Sequence, residues 1–237
     1  MTADAAAPAG RSATGQVTVA EIVVAADPEA WRSAGFRVDG AVAHIGTVAL
    51  RLAGADAGRR IIRCELRNVG SEQIDGLPIA RSTARGPGAP APPHPNGVVG
   101  IDHVVAFTPD LDRTVAAAQA VGLDLRRVRD EPAPAGSPRQ AFFRLGEAIL
   151  EVAQAPPGSP LDGDDPARFY GLALLAGDLD ATVAALGDRV GEPRDAVQPG
   201  RRIATVRREA GFGLPVALMS RRPTGTPASP RDPRASA

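Results

Sequence analysis

The chain has 237 residues, with 27 basic and 27 acidic side chains and a formal net charge of zero. Aromatic residues make up only 3% of the sequence, so it offers neither a basic surface that follows phosphates nor a platform that stacks bases, and we expect no nucleic-acid partner. All the basic side chains are arginines, which excludes Schiff-base catalysis by a lysine.

The sequence also indicates a compartment. Its single cysteine, Cys64, cannot form an internal disulfide, and it stands in an apolar stretch that predicts a buried strand residue. The first residues lack a basic segment followed by an apolar one, and no apolar run approaches the length of a membrane span. We therefore expect a cytoplasmic protein without a membrane partner.

Proline and glycine divide the chain into segments. Small, polar and Pro-containing residues predict disordered tails over 1–14 and 221–237, and a Pro/Gly-rich linker over 81–97. The predicted folded units are therefore 15–80 and 98–220.

An octet is repeated in the second unit. Asp110 opens Asp-Leu-Asp-Arg-Thr-Val-Ala-Ala, and Asp178 opens Asp-Leu-Asp-Ala-Thr-Val-Ala-Ala. Each copy follows a short apolar segment, which predicts a strand leading into a helix. Further strands follow each helix, so the sequence predicts two strand–helix–three-strand modules, over 98–155 and 168–220.

A degenerate copy precedes the linker. The hairpin sequence that starts at His44 aligns without gaps on the one that starts at Arg144. In this alignment Arg51 takes the place of Glu151 and would repel a cation. For His44 we favour a strand residue with no part in chemistry.

The two clear copies differ in chemistry. His103 stands seven residues before the first octet, and Gly171 stands seven residues before the second. Only the first copy therefore carries a side chain there that binds a metal or moves a proton.

The combination of Gly-Ile-Asp-His103, the repeated octet and Ile-Leu-Glu151 resembles the vicinal oxygen chelate superfamily, which includes glyoxalases, bleomycin-resistance proteins and extradiol dioxygenases. The resemblance implies an α+β fold of paired βαβββ modules that form an open cup-shaped sheet, here with a degenerate N-terminal module. It also implies a small-molecule ligand whose adjacent oxygens complete the coordination of a metal.

His103 and Glu151 match two ligand positions of that superfamily. A neutral imidazole and a carboxylate suit a divalent ion such as Mn, Fe, Ni or Zn. The second copy supplies no third ligand, because Gly171 and either Ala217 or Leu218 occupy the matching positions. The alternative is that His103 and Glu151 line a pocket that holds no metal. In the enzyme hypothesis, Glu151 is also the catalytic proton shuttle.

The first hairpin strand predicts a substrate-binding face. With a normal pleat, Gln140, Phe142 and Arg144 point into the cup, and the alternative set, shifted by one residue, begins at Arg139. An inward Arg144 would prefer an anionic ligand such as a carboxylate or phosphate. The alternative for Arg144 is a solvent-facing ion pair with Glu147.

His94 lies between prolines in the predicted linker, where a histidine is most often exposed to solvent. The alternative is that the linker folds across the cup and His94 supplies a metal ligand.

Three functions remain open from the sequence. The first is a glyoxalase-like enzyme that acts on a small oxygenated metabolite, either a lyase or isomerase or a relative of the dioxygenases. The second is a metal-free binding or drug-sequestering protein, and the third is an interaction domain with a vestigial pocket. The chain is expected to be a monomer or a homodimer, with the two modules of one chain packed together because sequential elements are usually neighbours.

Overall fold

The computed structural model describes residues 15–84, 86, 88–130, 138–156 and 158–222. The predicted tail over 1–14 and all but two residues of the one over 221–237 lie outside the described residues. The helices and strands, in chain order, are β1 (Thr18–Val24), α1 (Pro28–Ser33), β2 (Val42–Ile45), β3 (Val48–Leu52), β4 (Ile61–Arg67), β5 (Ile79–Arg81), β6 (Val98–Thr108), α2 (Leu111–Ala120), β7 (Asp124–Arg129), β8 (Gln140–Leu145), β9 (Ala148–Gln154), β10 (Arg168–Ala176), α3 (Leu179–Leu186), β11 (Arg194–Asp195), β12 (Arg202–Thr205) and β13 (Val216–Met219).

The second unit forms one eight-stranded sheet in the order β11-β12-β13-β10-β6-β9-β8-β7. Strand β6 runs parallel to β9 in the first module, and β10 runs parallel to β13 in the second. The two modules join where β6 pairs antiparallel with β10. The predicted α+β fold of paired βαβββ modules is therefore confirmed.

The repeated octet forms the same helix start in both modules. The Asp110 side chain accepts a hydrogen bond from the backbone N–H of Arg113 at 3.0 Å, and Asp178 accepts one from Ala181 at 3.1 Å. These N-caps satisfy backbone donors that the first turn of a helix leaves unpaired. Each helix then buries its first leucine and a threonine against the sheet.

The N-terminal unit forms a second sheet, of five strands in the order β2-β3-β1-β4-β5. Its strand β1 pairs parallel with β3 and antiparallel with β4, and β4 pairs parallel with β5. The second unit repeats these directions: β6 pairs parallel with β9 and antiparallel with β10, and β10 pairs parallel with β13. The sequence predicts one degenerate module over 15–80, but the strand pairing shows reduced versions of both modules.

Aromatic packing joins the two units. The ring of Trp31 in α1 stacks on Phe212 of the second unit, with ring centroids 4.5 Å apart. Beside it, a Cβ atom on Gly213 would overlap the carbonyl group of Ala25. The backbones meet so closely that only glycine fits at this position.

The part of the predicted linker that precedes β6 lies against the N-terminal unit. Asn96 donates a side-chain hydrogen bond to the Ala34 carbonyl at 2.8 Å, and the His94 ring packs on Phe36 with centroids 5.0 Å apart. His94 is buried, and its Nδ1 accepts a hydrogen bond from the Arg37 backbone at 3.0 Å. The expectation of an exposed His94 is therefore wrong, and His94 does not line the cup as a ligand.

Cys64 lies in β4 and is fully buried, as predicted. Burial, together with the nearby negative charge of Glu65, raises the pKa of its thiol to about 12. Cys64 is therefore a packing residue.

Among the helices of the described ranges, none combines the length and the apolar character that crossing a bilayer requires.

Candidate functional site

One face of the eight-stranded sheet carries a cavity of about 400 Å³, which we call the cup. A second cavity of about 180 Å³ adjoins it and shares His103, Phe142 and Glu151 with it. Strand β9 turns Ile149 and Glu151 towards the cup, and the alternate residue Leu150 is buried on the other face. The strand pleat therefore separates the cup from the hydrophobic core.

The three predicted substrate-binding residues line these cavities. Phe142 and Arg144 face the larger one and Gln140 the smaller one, with Ala141 and Phe143 buried behind them. Their role in binding remains a prediction.

The alternative ion pair of Arg144 with Glu147 is not formed. Glu147 instead accepts a hydrogen bond from the Thr47 hydroxyl at 3.1 Å. Arg144 is exposed, and we find no ion pair for it within the described ranges. Its guanidinium is therefore free to meet a ligand in the cup.

His103 and Glu151 meet at the base of the cup. Their strands run side by side in parallel, with His103 opposite Ile149 and Val105 opposite Glu151. The His103 Nε2 atom lies 3.7 Å from Glu151 Oε2, and each side chain is 14% exposed. At this separation the two atoms are adjacent but not hydrogen-bonded to each other.

Asp102 joins this pair because of an irregularity in β6. His103 lies opposite Ala173 and Ile101 lies opposite Leu174, so Asp102 is an extra residue in the pairing with β10. Such a bulge redirects a side chain that would otherwise point to the opposite face. Asp102 consequently faces the cup beside its neighbour, and its Oδ2 atom lies 2.8 Å from His103 Nδ1.

Arg201 holds Asp102 from the other side. Its Nη2 and Nη1 atoms donate to the two carboxylate oxygens at 2.5 and 3.2 Å, and its Nε donates to the Ser220 carbonyl at 2.9 Å. Burial by itself raises the pKa of Asp102, but hydrogen bonds from His103 and Arg201 and the charge of Arg201 outweigh it and lower that pKa. Asp102 is therefore a fixed anion that orients the imidazole.

Glu151 is held in a similar way. Gln140 Nε2 donates to Glu151 Oε1 at 2.6 Å, and Arg129 Nη1 donates to Gln140 Oε1 at 2.7 Å. Burial raises the pKa of Glu151, and the smaller effects of His103 and Arg129 lower it only in part. The neutral carboxyl group is therefore favoured more than in water.

The second module adds no comparable group. Ala173 lies opposite Ala217 just as Val105 lies opposite Glu151, so Ala217 takes the place of Glu151. Gly171 takes the place of His103, and a Cβ atom there would overlap the Pro215 carbonyl oxygen. The Pro215 backbone therefore leaves no room for a histidine side chain at position 171.

The resemblance implies a divalent metal, which would need more protein ligands than this site offers. His103 and Glu151 offer two donor atoms, whereas catalytic metal sites usually have about three protein ligands. The matching positions of the second module carry no donor, and across the described ranges no group of three or more His, Cys, Asp or Glu side chains could hold an ion. The donor set does not fit a divalent metal.

The N-terminal sheet shows what replaced the pair in its own copy. Val23 lies opposite Arg51 as Val105 lies opposite Glu151, so Arg51 corresponds to Glu151 and Glu21 to His103. Glu21 accepts two hydrogen bonds from Arg51, at 2.9 and 2.8 Å. This closed ion pair leaves neither group free for a ligand. His44 is exposed on β2 and lines neither cavity.

No model of a protein family matches the chain, and no curated protein matches it in sequence. Solved structures do match. They include methylmalonyl-CoA epimerase from Mycobacterium tuberculosis, 21% identical with a TM-score of 0.41, where the match covers 60% of this chain and 94% of that one.

Two further matches are of the same kind. A hypothetical protein from Bacillus halodurans is 14% identical with a TM-score of 0.43, and 54% of this chain and 97% of that one are covered. The Streptomyces coelicolor methylmalonyl-CoA epimerase in complex with 2-nitronate-propionyl-CoA is 24% identical with a TM-score of 0.40. That match covers 51% of this chain and 95% of the epimerase chain.

Proposed function

We propose that this protein binds a small oxygenated molecule in the cup, between His103 and Glu151, without a metal ion. The observation that carries the proposal is the 3.7 Å separation of His103 Nε2 and Glu151 Oε2. The other polar atom of each side chain already has a partner: His103 Nδ1 contacts Asp102, and Glu151 Oε1 accepts a hydrogen bond from Gln140. The two remaining atoms face the cavity. In the neutral imidazole that donates its Nδ1–H to Asp102, Nε2 is an acceptor, so one hydroxyl group of a ligand can donate to Nε2 and accept a hydrogen bond from the neutral form of Glu151.

Protonation supports this mode of binding. Burial raises the pKa of Glu151, so its neutral form, which can donate a hydrogen bond, persists to higher pH than in water, whereas the ionised form only accepts. Glu151 can therefore bond to either a carbonyl or a hydroxyl oxygen, depending on pH. The cavity of about 400 Å³ has the size of a small-molecule site.

The test is calorimetric titration of chelator-treated protein with small hydroxy acids, keto acids and aldehydes. We expect at least one class to bind, and His103→Ala and Glu151→Gln to weaken it by about tenfold each, as for the loss of a hydrogen bond to a polar group. His44→Ala and Glu209→Gln change an exposed histidine and an exposed glutamate outside the cup and are the matched controls. Binding that requires added Mn, Fe, Ni or Zn would contradict the proposal.

A second candidate is an enzyme that moves a proton. The hydrogen bond to Asp102 favours this candidate, because it fixes the imidazole with its Nε2 atom pointing towards Glu151. Glu151 would then exchange a proton with a C–H group next to the ligand carbonyl. NMR of a bound ligand in D₂O checks this, because a binding protein leaves that C–H unexchanged and Glu151→Gln must abolish any exchange.

A further inference from the structure

The cup is strongly positive although the chain has no net charge. Seven arginines and three carboxylates line the larger cavity, an excess of four positive charges when His103 is neutral. A cavity with this balance attracts anions and concentrates their field between low-dielectric walls.

The structure separates arginines that already have partners from those that do not. Arg201 is bonded to Asp102, and Arg126 forms an ion pair with Asp124 at 3.2 Å. Arg127, Arg129 and Arg144, which we call the arginine wall, form no ion pair with any carboxylate of the described ranges. Among the described residues, the hydrogen-bond acceptor of Arg129 is the neutral Gln140 side chain.

A bulge in β7 creates this wall. Leu125 lies opposite Phe143 on the buried face, but Arg127 lies opposite Phe142, so Arg126 is an extra residue and the strand changes face at this point. Without the bulge, Arg127 would follow Leu125 towards the core. With it, Arg127 and the next alternate residue, Arg129, line the cup.

The wall has an apolar surface beside it. The Arg129 guanidinium lies 5.4 Å from the centre of the Phe142 ring, a cation–π contact that holds both side chains. Arg127 and Arg129 line the same cavity, so their positive charges repel each other. Burial and the charge of Arg127 accordingly lower the pKa of Arg129, and the charge of Glu151 opposes them only in part. A bound anion relieves this repulsion.

The number of cations selects the kind of anion. A carboxylate carries one charge on two oxygens, whereas a phosphate monoester carries about −1.5 to −2 at pH 7 on three strong acceptor oxygens. Guanidinium groups bind such oxygens through parallel pairs of hydrogen bonds. Three unpaired guanidinium groups therefore match a phosphate better than a carboxylate.

We infer that the arginine wall binds the phosphate group of a phosphorylated small molecule, whose apolar part contacts Phe142. The inference deepens the proposed function, since the oxygen that the same ligand places between His103 and Glu151 rests on that proposal. The anion site itself depends only on the wall and Phe142.

Three probes of similar shape test the inference by calorimetry at pH 8. They are phenyl phosphate, benzoate and benzyl alcohol, which share a ring that fits Phe142 and differ in charge. We expect phenyl phosphate to bind about tenfold or more tightly than benzoate, the effect of one added charged hydrogen bond, and benzyl alcohol not to bind measurably. Equal affinities for phenyl phosphate and benzoate would overturn the inference.

Variants locate the binding. Arg127 and Arg144 are exposed, so Arg127→Ala and Arg144→Ala should fold, and each should weaken phenyl phosphate by about tenfold. Arg144→Lys keeps the positive charge but loses the paired N–H donors of the guanidinium. Its affinity for phenyl phosphate should lie between those of Arg144→Ala and the unchanged protein. Arg208→Ala removes an exposed arginine outside the cup and should change nothing. Wall variants that bind like Arg208→Ala would refute the site.

The same titrations separate the two proposals. The anion site is supported if the wall variants lose phenyl phosphate binding while His103→Ala and Glu151→Gln keep it. The proposal for His103 and Glu151 is then decided by its own titrations with oxygenated ligands. The proposed function stands and the inference fails if hydroxy or keto compounds lose affinity in His103→Ala and Glu151→Gln while the wall variants bind phenyl phosphate as tightly as the unchanged protein does.

Discussion

Arg201 and Asp102 lie 99 positions apart in the chain and form a two-point ion pair at the edge of the cup. Arg201 is only 5% exposed, and Asp102 also contacts His103. One buried guanidinium in the second module thus fixes the orientation of a histidine in the first.

This pair should be strongly coupled in stability. Asp102→Ala leaves the Arg201 charge buried without its partner, and we expect a loss of about 3 kcal/mol in the free energy of unfolding. Arg201→Met in the same chain removes that charge, so the double variant should be more stable than Asp102→Ala. Urea unfolding, followed by the fluorescence of the single buried tryptophan Trp31, measures both. Additive losses in the double variant would show that the pair does not act as a unit.

A second ion pair should stabilise the contact between the two units. Asp75 accepts a hydrogen bond from Arg113 Nε at 2.8 Å and one from the Thr114 hydroxyl, and its side chain is 9% exposed. We expect Asp75→Ala to cost about 2–4 kcal/mol, because Arg113 loses the carboxylate that balances its charge and keeps only carbonyl acceptors, and Thr114 loses one of its hydrogen bonds. Asp75→Asn keeps the shape and tolerates the positive φ of 45° at this residue, so it should cost less in the same urea experiment. Equal losses would rule out a role for the charge.

The thiol of Cys64 should be unreactive in the folded protein. With a pKa of about 12, only about one molecule in 10,000 carries the reactive thiolate at pH 8, and the sulfur is buried besides. The reaction with a chromogenic disulfide reagent should therefore proceed only as fast as the protein unfolds. Rapid reaction without denaturant would show that β4 opens locally.

Acid should weaken the attachment of the segment before β6. Burial, followed by the charge of Arg37, lowers the pKa of His94 below its ordinary value of 6.5. The unfolded chain therefore takes up a proton below about pH 6.5 that folded His94 resists, so stability is present above that pH and is lost as pH falls through this range.

The matched variant is His94→Asn, which keeps an acceptor for the Arg37 N–H. We expect it to be less stable overall but to lose less stability than the unchanged protein between pH 7 and pH 5. The exposed His44→Asn is the control and should keep the original pH dependence. Identical pH slopes in all three proteins would exclude His94 as the cause.

Much of the fold could be predicted because its signals are local. The two octets predict two helices, and both form where predicted, each capped by the first aspartate of its octet. The alternation along β8 predicts that Gln140, Phe142 and Arg144 share a face, and they line the cavities. The burial of His94 has no local signal, because it depends on Phe36, a residue remote in sequence.

The sequence by itself determined the duplicated modules and placed His103 and Glu151 on strands, because strand period and helix caps act over a few residues. Only the tertiary structure decided what surrounds them. Asp102 and Arg127 reach the cup through bulges, which arise where one strand pairs with another and leave no mark in the alternation of a single strand. Arg201 meets Asp102, and Ala217 faces the position of Glu151, only because β6 and β10 join two modules within one sheet.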